Sequence, residues 1–350
     1  MNKKVISWLL CVSLIMILAG CACSKKTPEN SAPTAGQEQA EANSGQTKGG
    51  DSMGWKYQNE VLIKSDEPDA LDRIDDLYDQ AGDDRSQVHY QFEVKSFDDF
   101  QKLSTLLFDY GYKVTTFEIL IPAGVVPDEE TRIPLMIDKR ADTRLIVSGK
   151  GDKPVEMPPV LFDLMAGTIV VKNFVFKRQE YRTGIGASVI DDFIAENLNF
   201  SDSVYERRNQ YMAGPLMLLM SHAPEGKSSN YKLKDVTFMN NQSNGLLQIE
   251  DNSLGKFKHI ELDHVVAKGN VNLMMGIDVS ASEDALVKNC ELTGSTAAPT
   301  IYQILPQTQV KFVDSSVADN AYGYRPKTED WHTDPKPVIQ ENLKEADGTV

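Results

Sequence analysis

A six-residue pattern that returns six times between residues 171 and 317 constrains this chain more than any other feature. It reads apolar, any, Asn or Asp, small or apolar, any, apolar, with one histidine in the third place. The copies are Val171-Lys-Asn-Phe-Val-Phe176, Ala195-Glu-Asn-Leu-Asn-Phe200, Leu233-Lys-Asp-Val-Thr-Phe238, Leu262-Asp-His-Val-Val-Ala267, Val287-Lys-Asn-Cys-Glu-Leu292 and Phe312-Val-Asp-Ser-Ser-Val317. Their third residues, Asn173, Asn197, Asp235, His264, Asn289 and Asp314, are 24, 38, 29, 25 and 25 residues apart by subtraction. The longest interval has room for insertions at 201–210 and 224–230.

A period near 25 built only of short strands has a definite physical meaning. One turn of a parallel β-helix needs three short strands and three bends, and it buries its apolar face only against the turns above and below. The apolar residues flanking each anchor then point inward and stack. The polar anchor sits at a bend, where Asn holds a tight backbone conformation and bonds to the next anchor. A leucine-rich repeat would need leucines at fixed spacing, and a β-sandwich leaves the recurring hexamer unexplained. The expected fold is all-β: a right-handed parallel β-helix of about eight coils over residues 113–326, with a structural ladder at the six anchors.

Residues 55–112 read differently, as a small α/β region. Leu71, Ile74, Leu77 and Tyr78 form the stripe of a short amphipathic helix. Val88 to Val94 alternates like a strand. Ser96 with Asp99 suggests a capping box, Phe100, Leu103, Leu107 and Tyr110 line one helix face, and Gly111 supplies a stop. The acidic run from Asp66 to Asp84 lacks the spacing of a calcium loop and reads as a solvated face.

Ahead of this lie two segments with a different role. Lys3 and Lys4 precede an apolar stretch, Val5 to Leu18, too short to span a bilayer comfortably. Leu18-Ala19-Gly20-Cys21 resembles the lipobox of bacterial lipoproteins. The resemblance implies a signal peptide over 1–20, cleavage before Cys21, and lipidation of that cysteine with diacylglycerol and often a further acyl chain such as palmitate. Several acyl chains anchor firmly. The expected address is the outer face of a bacterial membrane, and the outer membrane if the cell has two, because Asp is absent after Cys21. Residues 21–54 are largely Gly, Ser, Gln, Glu, Ala, Thr and Pro and read as a flexible tether. Residues 327–350 read as a C-terminal tail.

Without Lys3 and Lys4, 34 basic side chains face 51 acidic ones, a net charge of −17. Such a chain does not fit a general nucleic-acid binder, which needs a cationic surface. Cys290 lies in an apolar strand and reads as a small buried hydrophobe rather than as a disulfide partner of Cys23.

The opening Ile119-Leu-Ile-Pro-Ala-Gly124, the Leu145-Ile-Val-Ser-Gly149 turn and the Val171-Lys-Asn-Phe-Val-Phe176 type of coil resemble the right-handed β-helix superfamily of pectate lyases and pectin-lyase-like proteins, over about residues 114–325. That superfamily holds lyases, hydrolases, esterases, epimerases and adhesins, so it implies a carbohydrate link by association alone. Its galacturonan hydrolases carry Asn-Thr-Asp, Asp-Asp, Gly-His-Gly and Arg-Ile-Lys elements, of which only Asp191-Asp192 is present. The Arg-x-Pro-x-x-Arg segment of its pectate lyases is missing.

The strongest local candidate for chemistry is basic and aromatic. Lys177, Arg178, Tyr181 and Arg182 follow one anchor; Tyr205, Arg207, Arg208 and Tyr211 follow the next. Loops leaving adjacent rungs at one corner could clamp a polyanionic sugar, with Arg178, Arg182, Arg207 and Arg208 on its carboxylates and Tyr181 and Tyr211 against its rings. Lys177 or Tyr205 could then act as base in a β-elimination. The rival reading is a non-catalytic scaffold or adhesion module. Leu216-Met-Leu-Leu-Met220, Leu246-Leu-Gln-Ile249, Leu273-Met-Met-Gly-Ile277 and Ile301-Tyr-Gln-Ile304 are apolar at both alternating phases, as a sheet covered by the helices before Tyr112, by the tail after Lys327 or by a protein partner would be. Met217, Leu219 and Met274 are the residues expected outside on that face. Five dispersed histidines suggest no metal site, and no cofactor motif is present.

Overall fold

A computed structural model of the chain describes residues 59–82, 86–125, 131–137, 142–178, 184–204, 215–250, 256–303, 307–317 and 339–345. The expected signal peptide, Cys21 and the tether lie outside these residues. The described chain is mostly parallel strand, wound into a right-handed β-solenoid of about eight turns, with two helices near its start.

Each complete turn contributes a strand to three faces. The first face begins with Val61–Lys64, Ser86–Glu93, Val114–Pro122 and Arg144–Lys150, and continues by parallel pairing to Ile339–Glu341. The second, just after each anchor, runs from Val155–Met157 to Lys344–Glu345. The third runs from Thr131–Met136 to Ile301–Tyr302. Strands Val160–Lys177 and Ile185–Ser201 pass through all three faces in turn.

The anchors make the bend between the first and second faces. Asn173, Asn197, Asp235, His264, Asn289 and Asp314 have φ of 64, 51, 54, 54, 54 and 45°. This left-handed region is costly for most L-residues but open to Asn and Asp, whose short side chains bond locally. Asn197 Nδ2 donates to Asn173 Oδ1 at 2.9 Å, one rung to the next. At His264 the chain of bonds detours, and Asn289 Nδ2 donates to Asp263 Oδ1 at 3.1 Å. The apolar positions of the hexamer fill the interior. Phe176, Phe200 and Phe238 stack at 4.8 and 5.3 Å, with ring planes 9 and 14° apart. Phe174, Leu198, Val236, Val265 and Cys290 form a second buried column.

The sheet includes strands on either side of residues 113–326. Within the region expected to be α/β, the strands Val61–Lys64 and Ser86–Glu93 are the first two rungs of the first face. Helices α1 (Ala70–Ala81) and α2 (Phe97–Tyr110) provide their crossovers. α1 buries Ala70 and Ile74, and α2 buries Phe100, Leu103 and Leu107. Asp99 accepts from the Ser96 N–H at 3.0 Å, the backbone half of a capping box. Gly111 follows α2 with φ −60°, an ordinary helical value; its smallness matters because a Cβ there would stand 2.4 Å from Leu107 O and 2.5 Å from Ile137 Cγ2.

At the other end, Asn342 is a seventh anchor with φ 54°, and its Nδ2 donates to Asp314 Oδ1 at 2.8 Å. Its hexamer is Gln340-Glu-Asn-Leu-Lys-Glu345, with Gln340 in register with Phe312. The missing apolar flanks hid this copy. Two further differences are local. Leu145 to Gly149 lies within strand Arg144–Lys150 rather than in a turn. Leu273 to Gly276 lies between the short strands Val271–Asn272 and Ile277–Asp278.

Candidate functional site

Lys177 and Arg178 stand where the second face ends. Lys177 Nζ lies 2.6 Å from Glu156 Oε2 on the previous rung, with both side chains exposed. Arg178 has φ 53° and donates its N–H to Ser201 O at 3.1 Å. It belongs to a second column of left-handed bends: Arg178, Asp202, Asn240, Gly269 and Gly294, at 53, 57, 54, 64 and 70°, each five residues after an anchor. The bend exposes the arginine side chain. Tyr181, Arg182, Tyr205, Arg207, Arg208 and Tyr211 lie outside the described residues, so of the eight expected site residues only Lys177 and Arg178 have a described position.

One residue beyond these bends, a buried polar ladder turns inward. Ser203, Asn241, Asn270 and Ser295 occupy the position, all buried. Asn241 Nδ2 donates to Asn270 Oδ1 at 3.0 Å, and Asn270 Nδ2 to Phe238 O at 2.9 Å. Sequence reasoning missed it. The available signal was Asp, Asn or Gly followed by Ser or Asn, five and six residues after the anchor.

On the third face, side-chain alternation assigns each apolar residue to a side. Phe162, Ile185, Met217, Leu247, Ile277 and Ile301 share one inward column, and Leu164, Ala187 and Leu219 are in another. Met217 and Leu219 are therefore core residues, contrary to the outward placement expected for them. The outward phase holds Leu218 and Met220, both half-buried. Met220 follows Met136, Met165 and Ser188 across four strands. Met136 is 38% exposed and Met274, between strands, 62% exposed. Asp163, in the same outer face, is paired with Arg132.

The outer side of the first face is charged and internally paired. Lys172, Glu196, Lys234, Asp263 and Lys288 occupy one register position on successive strands, alternating in sign. Lys288 Nζ reaches Glu261 at 2.9 Å and Asp263 at 3.2 Å; Lys232 reaches Glu261 at 3.1 Å. Near the N-terminal end, His89 Nε2 and Gln91 Nε2 each lie 2.9 Å from Glu118 Oε2. Burial pushes the Glu118 carboxyl up, but these hydrogen bonds and the charges of His89 and Lys172 outweigh it and hold the group at about 2. Asp192 accepts from Asn230 Nδ2 at 2.8 Å. Cys290 is buried, and desolvation pushes its thiol up to about 12, an inert setting.

No family model, curated protein or solved structure matches this chain. The fold defines a parallel β-solenoid protein.

Proposed function

We propose that this chain is a binding scaffold of the bacterial cell envelope, tethered by lipid at Cys21, which engages a protein partner through the outer side of its third face. The observation that carries this reading is the outward apolar set Met136, Met165, Leu218 and Met220, which the core does not need because the inward phase already fills it. Methionine suits such a surface, since its flexible thioether adapts to a partner's shape. The parallel solenoid supplies rigidity, so little order has to be created on binding.

A photo-crosslinking residue at position 218 in intact cells should yield a defined adduct, while the same residue at position 232 on the charged first face should not. Equal labelling at both positions, or none at 218, would refute the reading. Tethering is tested by intact mass: protein extracted from membranes should begin at Cys21 and carry acyl mass.

A second reading, binding and β-elimination of an acidic polysaccharide, is favoured by Arg178, whose left-handed bend displays its guanidinium three and four residues ahead of Tyr181 and Arg182 in the sequence. Arg207, Arg208 and Tyr211 would complete the clamp. Lys177 would have to leave Glu156 to act as a base, which makes Tyr205 the better candidate. Incubation with a panel of uronate polysaccharides tests it. Elimination creates a conjugated product absorbing near ~235 nm, and binding alone does not.

A further inference from the structure

We propose that His259, Glu283 and Asp284 form a binding site for a divalent transition ion, zinc in the first instance, on the outer side of the first face. One ligand atom from each residue lies within 4.8 Å of the other two. His259 Nδ1 stands 2.9 Å from Asp284 Oδ2, and Nε2 stands 3.7 Å from Glu283 Oε2. Zinc bonds of ~2.0–2.2 Å in a tetrahedron put ligand atoms roughly 3.3 Å apart, and an ion takes one imidazole nitrogen, so one of the two carboxylates has to turn from the other ring nitrogen to close the set. The partly exposed setting leaves the remaining position to water.

The register holds these groups together. His259 and Asp284 are direct partners on adjacent strands. Glu283 donates its N–H to Lys258 O at 3.2 Å, and its own carbonyl accepts from the Gln309 N–H at 2.8 Å, so its backbone is fixed to the rungs on both sides. The backbone therefore needs no ordering when the ion arrives. Two carboxylates and an imidazole suit zinc; calcium prefers an all-oxygen shell of six or more ligands. The competitor is Lys258, whose Nζ lies 3.1 Å from Glu283 and has to swing away.

His264 provides an internal control. It too faces an aspartate, with Nδ1 2.8 Å from Asp263, but that carboxylate is already held by Lys288 and Asn289, and among the described residues no third ligand joins it. The test is calorimetric titration of zinc into the full chain carrying no histidine tag. One saturable equivalent is expected, weakened at least about tenfold by His259→Ala and by Asp284→Asn, on the scale typical when even an outer partner of a zinc site is lost. His264→Asn, which keeps a residue suited to the left-handed bend, should bind as the wild type does. Unchanged far-UV circular dichroism of each metal-free variant shows that the fold is intact. No saturable zinc binding by the wild type, equal affinity in His259→Ala, or calcium binding as tight as zinc would overturn the proposal.

Discussion

Replacing Asn197 tests whether the ladder is held by backbone conformation or by its side-chain hydrogen bonds. Asn197 has φ 51°, donates to Asn173 at 2.9 Å and is exposed, so burial contributes little to the effect. Asn197→Val forces a β-branched residue into the left-handed region, at about 1–2 kcal/mol. It also removes a hydrogen bond worth about 0.5 kcal/mol at a solvated position. The sum is about 1.5–2.5 kcal/mol. Asn197→Gly loses the same bond but accepts the backbone angle freely, and adds only about 0.5 kcal/mol of unfolded-chain entropy. For a chain of this size about 1 kcal/mol corresponds to roughly 2–4 °C, so the valine variant should melt about 3–10 °C lower and the glycine variant about 2–4 °C lower. Thermal and urea unfolding followed by far-UV circular dichroism measures both. A valine variant as stable as the glycine variant, or more stable, would refute the reasoning, because both lose the amide and only valine meets the backbone penalty at φ 51°.

Gly111→Ala improves helix propensity yet should destabilise by about 1–3 kcal/mol, because the added methyl meets Leu107 O and Ile137; urea unfolding checks the sign. Glu118 contributes through a carboxyl lowered from 4.5 to about 2, so its stabilisation is present above pH 4.5 and is lost as the pH falls toward 2. Across that window the wild type should lose up to about 3 kcal/mol more than Glu118→Gln, as paired acid titrations of unfolding would show. Cys290 should resist a thiol reagent in the native protein and react on denaturation, read as mass gained by its peptide.

The ladder was legible in the sequence because a left-handed bend admits few residue types, and the restriction leaves a recurring letter. Asn342 escaped notice because its flanking positions are polar, so the hexamer around it is broken. The second column of bends was obscured by Arg178, which breaks its own column's composition, and by Gly269 and Gly294, which look like ordinary loop residues. The two N-terminal strands were recognisable as strands, but not as part of the solenoid, because helices stand between them where other turns have strands. An uninterrupted apolar run does not reveal its own phase, so Met217 and Leu219 were expected outside where Leu218 and Met220 stand. The basic corner was visible as composition only. Glu156, which engages Lys177, is 21 residues away in the chain and arrives through strand register. His259 and Asp284 likewise meet because they are 25 residues apart, one turn of the solenoid.

Between His264 and Asp314 the period is a constant 25 residues, and all three anchors share a left-handed conformation. This makes the solenoid a countable object. Excising residues 265–289 would join His264 to Cys290, a junction with the same backbone geometry as Asn289 to Cys290, and Val265 and Cys290 already share one interior column. Turn number can therefore change by whole units without redesigning the interior, as a stack of identical tiles is shortened by lifting one out. Selection acting on such a protein can adjust the reach of its outer surfaces through simple in-frame deletion or duplication.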